Sequence, residues 1–129
     1  MRFVETPQAP RPAGHYSQAV IHGGTVYVAG QLPIDPQDRE APPGDAAAQA
    51  RRALENVRHI LEAAGSGLDH VLQMTLYVSD IAHWDAINRV YAETMGDHRP
   101  VRAVVPVRDL HFGYLVEIQA IAALQEESP

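Results

Sequence analysis

Between Asp45 and Gly65, the residues Ala50, Leu54, Val57, Leu61 and Ala64 recur at intervals of three or four. On a helix this spacing draws the apolar side chains into one stripe and leaves Arg51, Glu55, Arg58 and Glu62 mainly on the wet side. Asp45 offers a carboxylate cap to the first turn, and Gly65 supplies a stop. The stripe reads as a core face rather than a partner groove, so the rest of the chain must provide a surface to cover it.

The flanking segments predict a sheet. Ala19–Ile21 and Thr25–Ala29 read as strands joined around His22-Gly23-Gly24, and Gly30-Gln31-Leu32-Pro33 ends the second. Val71–Val78 alternates, with Leu72, Met74, Leu76 and Val78 as the predicted core face. A shorter helix carries Trp84, Ile87, Tyr91 and Met95 along one side and closes at Gly96. Val101–Val107 and Leu115–Leu124 supply the remaining strands, separated by a loop holding Asp109, His111 and Gly113. Thr6 to Gly14 is an extended, irregular arm, and Asp35 to Gly44 a polar, proline-punctuated loop.

This order predicts an α+β two-layer sandwich, a mixed sheet covered on one face by two helices. Tyr27, Thr75, Tyr77, Gln119, Ile121 and Ala123 are left for the other face. That set is too apolar to be bare and too polar for a dry core. Subunit contact resolves the conflict and makes clefts between subunits the expected ligand sites.

At 129 residues the chain is expected to form a single domain, 1–129. A formal charge of -6, with ten basic residues that are all arginine, argues against general nucleic-acid binding. No apolar run approaches membrane-spanning length, and no secretory signal is read at the N-terminus. The default expectation is cytoplasmic. With no cysteine there is no thiolate nucleophile or cysteine-based metal site, and with no lysine there is no Schiff-base chemistry. The seven histidines are dispersed, so neither a metal nor an organic cofactor is expected.

Arg102, in Pro100-Val101-Arg102-Ala103-Val104, stands where a turn hands over to a β-branched run. A guanidinium there is a bidentate fork for a carboxylate or phosphate. From the residues alone, anion binding and an ordinary surface role stay equally open.

Several segments, in order, resemble the RidA family, also called the YjgF family, over nearly the whole chain. They are His15-Tyr16-Ser17-Gln18-Ala19, Val28-Ala29-Gly30-Gln31-Leu32-Pro33, Gln49 to Asn56, Ile60 to Gly65, Ile87-Asn88-Arg89-Val90-Tyr91, Pro100-Val101-Arg102-Ala103 and Leu115 to Ala122. The resemblance implies a chorismate-mutase-like fold and homotrimers with clefts between subunits. It also implies hydrolysis of reactive enamine/imine carboxylates, such as 2-aminoacrylate, to 2-keto acids and ammonia. By motif, Arg102 matches the arginine that grips the substrate carboxylate and Tyr16 a tyrosine lining the cleft. Gly30 matches a glycine whose backbone approaches the ligand, and Asn88 a helix asparagine near the site. A backbone group near Val104 is expected to help align the imine.

Three positions depart from the family pattern. Ala29 stands where Ser is common, and Ala103-Val104 follows the arginine where Ser and Cys or Thr are common. Gln119 falls at the second acidic position of the usual Glu-Ile-Glu-Ala segment, whose glutamate helps place the hydrolytic water. Glutamine can orient water but cannot accept its proton as a carboxylate does. Glu117 lies two residues along the strand, about 6.6 Å away, and is expected mainly at the surface or a subunit contact. The resulting catalytic set is Arg102, Gln119 and Tyr16, with Gly30, Asn88, Val104 and Glu117 as further substrate contacts. His15, in place of the usual Pro, and His111 are additional cleft candidates.

Three functions stay open on this basis. They are imine hydrolysis, binding of small carboxylates without turnover, and deamination of a larger enamine acid admitted by Ala29, Ala103 and Val104. A ribonuclease or translation-inhibitor role, ascribed to some family members, gains no independent support from the composition.

Overall fold

A computed structural model describes residues 1–125; the last four residues of the expected domain lie outside the described residues. The elements run β1 (Arg2–Val4), β2 (Ala19–His22), β3 (Thr25–Gln31), α1 (Ala46–Ala64), β4 (Val71–Val78), α2 (Trp84–Met95), β5 (Val101–Pro106) and β6 (Val116–Ala123). Among the described residues, six strands form one sheet in the order β1-β2-β3-β6-β4-β5. Every pairing is antiparallel except β4 with β5, whose parallel register is bridged by the α2 crossover. No helix among the described residues is long and apolar enough to cross a membrane.

The α1 stripe folds as its spacing predicts. Ala50, Leu54, Val57, Leu61 and Ala64 are all buried, with Ala53 and Ile60 beside them. The Asp45 carboxylate accepts from the Ala48 N–H at 2.9 Å, and Gly65 closes the helix with φ 86°. On the wet side Arg58 pairs with Glu55 and with Glu62, the latter at 2.8 Å. Ile87, Tyr91 and Met95 of α2 join the same core with Val26, Met74, Leu76, Ile118 and Ala120 from the sheet. Both helices therefore cover one face. Tyr27, Thr75, Tyr77, Gln119, Ile121 and Ala123 are exposed or half-buried, and strand alternation puts them on the opposite face.

Local departures have local causes. Strand β1 was not anticipated: its three residues bury only Val4, too short a run for periodicity to register. In β4, Val71 opposes Ala122 and Gln73 opposes Ile121, so Leu72 is an extra residue in the ladder. This bulge turns Leu72 outward, 51% exposed, and puts Val71 in the core place expected for Leu72. Leu68–His70, Ile81–His83 and His111–Gly113 form single 3₁₀ turns within stretches read as irregular.

The Thr6 to Gly14 arm is irregular, yet it is held. Gln18 is buried, and its Oε1 accepts from the Thr6 N–H at 2.7 Å. Its Nε2 donates to the carbonyls of Thr6 and Pro10, both at 3.0 Å. One side chain thus satisfies the backbone groups that a ladder would satisfy in a regular element.

Truncating Gln18 to Ala strips those partners and opens a void. It is expected to cost about 2–4 kcal/mol, read as a lower urea midpoint. The bulge makes a second expectation. Leu72→Ala should move the midpoint by no more than about 0.5 kcal/mol, whereas Leu76→Ala should cost about 2–5 kcal/mol; equal losses would contradict the assigned register.

Candidate functional site

A cleft of about 490 Å³ opens where β3 meets the start of β6, lined by Tyr16, Gly30, His111, Phe112 and Glu117 together with small apolar residues. Two irregularities build it. Val28 opposes Ala120 but Gln31 opposes Ile118, so β3 carries an extra residue across Ala29–Gly30. A bulge at this point bends the strand and re-aims its side chains. The Glu117 side chain then lies where a Cβ on Gly30 would sit, 3.1 Å from that position at Cδ and 3.3 Å at Cγ. Gly30 is needed here for space, not for an unusual φ.

Glu117 projects from the open face of β6, opposite Tyr77. Burial pushes its carboxyl above the usual glutamate range, and the charge of His111 opposes that only in part. A carboxyl raised in this way gives and takes protons closer to neutral pH.

Gln119 is placed differently. It opposes Thr75, is exposed, and its Oε1 accepts from the Tyr77 hydroxyl at 2.9 Å. It does not line the Tyr16–Gly30 cleft. The two-residue separation that counted against Glu117 counts instead against Gln119: the position that reaches the cleft retains its acid. Of the two, Glu117 lines this cleft and Gln119 bonds Tyr77 outside it.

Arg102 is on the other side of the sheet. In the parallel register it neighbours Met74, which is buried against the helices, whereas Glu117 shares its face with Tyr77. Strands β3 and β5 are three positions apart in the sheet, about 14 Å at normal strand spacing. The guanidinium lies 5.0 Å from the Trp84 ring centroid and 4.9 Å from that of Tyr91, and Nη1 donates to Asn88 Oδ1 at 2.9 Å. Two aromatic faces and one amide oxygen orient the fork while the residue stays exposed on an edge strand. Burial raises the Tyr91 hydroxyl's pKa, opposed by the charge of Arg102.

One chain therefore brings Tyr16, Gly30, Glu117 and His111 together, and separately joins Arg102 to Asn88. Val104 is half-buried beside Leu76 on the Arg102 side, and the exposed His15 does not line the cleft. Among the described residues no three His, Asp or Glu side chains are grouped as a metal site requires. Sequence reasoning missed Phe112 as a wall and took Trp84 and Tyr91 for core alone; an aromatic beside Gly113 in a polar loop was the available signal for Phe112.

Two amides on α1 hold the cleft's backbone. Asn56 Nδ2 donates to the carbonyls of Leu32 at 3.1 Å and Ile34 at 2.9 Å, fixing the chain as it leaves β3. Gln49 donates to the Gly44 carbonyl at 2.9 Å and accepts from the Leu115 N–H at 2.8 Å, just before β6.

Residues 6–124 match the family model described as Endoribonuclease L-PSP. A RutC family protein from Pyrococcus horikoshii is 45% identical over 92% of this chain and 94% of its own length. A protein from Capra hircus named 2-iminobutanoate/2-iminopropanoate deaminase is 40% identical over 94% of this chain and 88% of its own. Among solved structures, E. coli TdcF with bound serine superposes with a TM-score of 0.92 at 37% identity, covering 97% of this chain and all of that one. By sequence and by fold, the chain belongs to the Endoribonuclease L-PSP family, that of RidA and YjgF.

Proposed function

We propose that the protein hydrolyses 2-imino acids and their enamine tautomers to 2-keto acids and ammonia, in a cleft completed by a second copy of the chain. The observation that carries this reading is Glu117, a desolvated carboxyl seated over Gly30 in the cleft it shares with Tyr16. The goat relative's name and the serine bound to TdcF support a small carboxylate-bearing substrate. The case for binding without turnover rests on Gln119, which lies outside this cleft, and on the missing hydroxyls, of which Ala29 is a cleft position.

Glu117, as carboxylate, takes a proton from water while the water oxygen bonds to C2 of the imine. The C=N π electrons move to nitrogen, which receives that proton. Glu117 then takes the proton of the new hydroxyl and passes it to the amine as the C–N bond breaks. Water has been consumed, ammonia and a 2-keto acid released, and Glu117 returned to its starting form. Protonated Glu117 can also deliver a proton to C3 of an enamine, giving the iminium, whose N–H proton the resulting carboxylate can take back to leave the imine.

A carboxylate clamp completes the site, and a neighbouring copy's Arg102 supplies it. Strand β5 is an exposed edge bearing Val101, Ala103 and Val105, the kind of edge that folded proteins cover. Docking it against another copy, in a closed ring such as a homotrimer, covers that edge and carries the fork toward Glu117.

Arg102→Ala is expected to lower kcat/KM for freshly generated 2-aminoacrylate by about a hundredfold. Glu117→Gln should lower kcat by about 10²–10⁴-fold. Co-assembling the two inactive variants in equal amounts should restore about a quarter of wild-type activity, because random mixing leaves that share of clefts with both residues intact. No recovery would place the fork and the acid in one chain.

The raised Glu117 pKa makes a linked prediction. The base form is needed, so the wild-type rate should climb as pH rises through a value above 4.5. A raised folded-state pKa contributes stability below the unfolded value and loses it as pH rises. Glu117→Gln should therefore have a higher Tm than wild type at pH 7.5 and no advantage at pH 4. A lower Tm at pH 7.5 would make Glu117 a structural acid.

A further inference from the structure

Phe112 adopts φ 62° and ψ 16°, the left-handed conformation, and is the non-glycine residue with positive φ among the described residues. A bulky side chain is strained there, and a turn at this place could be made by glycine at no such cost, as Gly113 makes the next step at φ 74°. The strain is not offset by packing: Phe112 is 72% exposed. The aromatic rings that neighbour it are the flanking ones, with centroids 5.7 Å away at His111 and 6.2 Å, edge-on, at Tyr114. An exposed aromatic held in a strained conformation beside a cleft points to function.

Its position says which function. Phe112 lines the cleft of Glu117 and Tyr16, and also a narrow adjoining recess of about 40 Å³ whose lining mixes Leu32 and Ile34 with Arg11, Arg39 and Gln18. Ala13, Ala29 and Leu32 line the same cleft and carry no polar side-chain atoms. Glu117 and His111 offer polar chemistry in the cleft, and Phe112 adds its ring to the apolar surface of Ala13, Ala29 and Leu32.

We propose that Phe112 is the wall that receives the substrate's side chain, so that the cleft prefers 2-imino acids with branched or aromatic apolar side chains over those with a single methyl. This rests on the imine-hydrolase reading and names the substrate class for that site. The small Ala29 leaves room below, and the ring of Phe112 supplies the contact area.

The test uses imines generated in place from alanine, leucine and phenylalanine by an amino-acid oxidase, with their loss followed by semicarbazide trapping. Wild-type kcat/KM is expected to favour the leucine- or phenylalanine-derived imine over the alanine-derived one by about tenfold or more. In Phe112→Ala that ratio should fall at least about fivefold, and Phe112→Leu should retain most of it. A wild-type preference for the alanine-derived imine, or an unchanged ratio in Phe112→Ala, would overturn the assignment while leaving imine hydrolysis standing. Equal loss on all three substrates with a changed assembly state on size exclusion would overturn it too, making Phe112 a subunit contact. Absence of turnover with every imine in the wild type would overturn the hydrolase reading and this assignment together.

Discussion

Three buried side-chain amides hold the irregular part of this fold in place. Gln18 ties down the arm before β2, Asn56 the exit from β3, and Gln49 the approach to β6. Each bonds backbone groups that no strand ladder reaches, and each such group, if buried without a partner, costs about 1–3 kcal/mol. The segments they hold are the ones around the cleft, since Ala13, Leu32 and Tyr16 follow or precede the tied residues closely. Regular structure supplies the floor of the site, and the amides tie its irregular walls to the core. Asn56 Oδ1 is left without a partner in the core, so the arrangement is not fully satisfied.

The second constraint is a shared space. Gly30 and Glu117 occupy one volume between them, so the carboxyl is pressed against backbone and its charged form loses hydration. A residue whose ionisation weakens the fold is hard to explain by stability alone. It is the usual exchange at a reactive group, where the fold tolerates a destabilising side chain that chemistry requires. The β3 bulge makes this contact geometrically available, and the small residue at position 30 makes it sterically possible.

Much of this was legible in the residues, because much of it is local. The helix from Asp45 to Gly65 was readable from its spacing and caps, and α2, β4 and β6 from period and punctuation. The bulges were not, since an extra residue at Leu72 or Ala29–Gly30 exists only relative to a partner strand distant in sequence. The same limit applies to the placement of Glu117 and Gln119. Both lie on one strand face, and only the bulged neighbour with its missing Cβ decides which one meets the cleft. Likewise Tyr91 belonged to a helix stripe and was read as core. It is buried, but its ring is also the shelf on which Arg102 lies.

The division of the proposed site between copies has a physical advantage. Here the guanidinium has its own partners, Trp84, Tyr91 and Asn88, none of them charged. Those contacts orient it while leaving its charge uncompensated, so a substrate carboxylate meets an arginine that has no acid to give up. Within one chain the charge acting on Glu117 is that of His111, which offsets the effect of burial only in part. In the proposed assembly, each group is oriented on its own fold before the two meet across a subunit boundary.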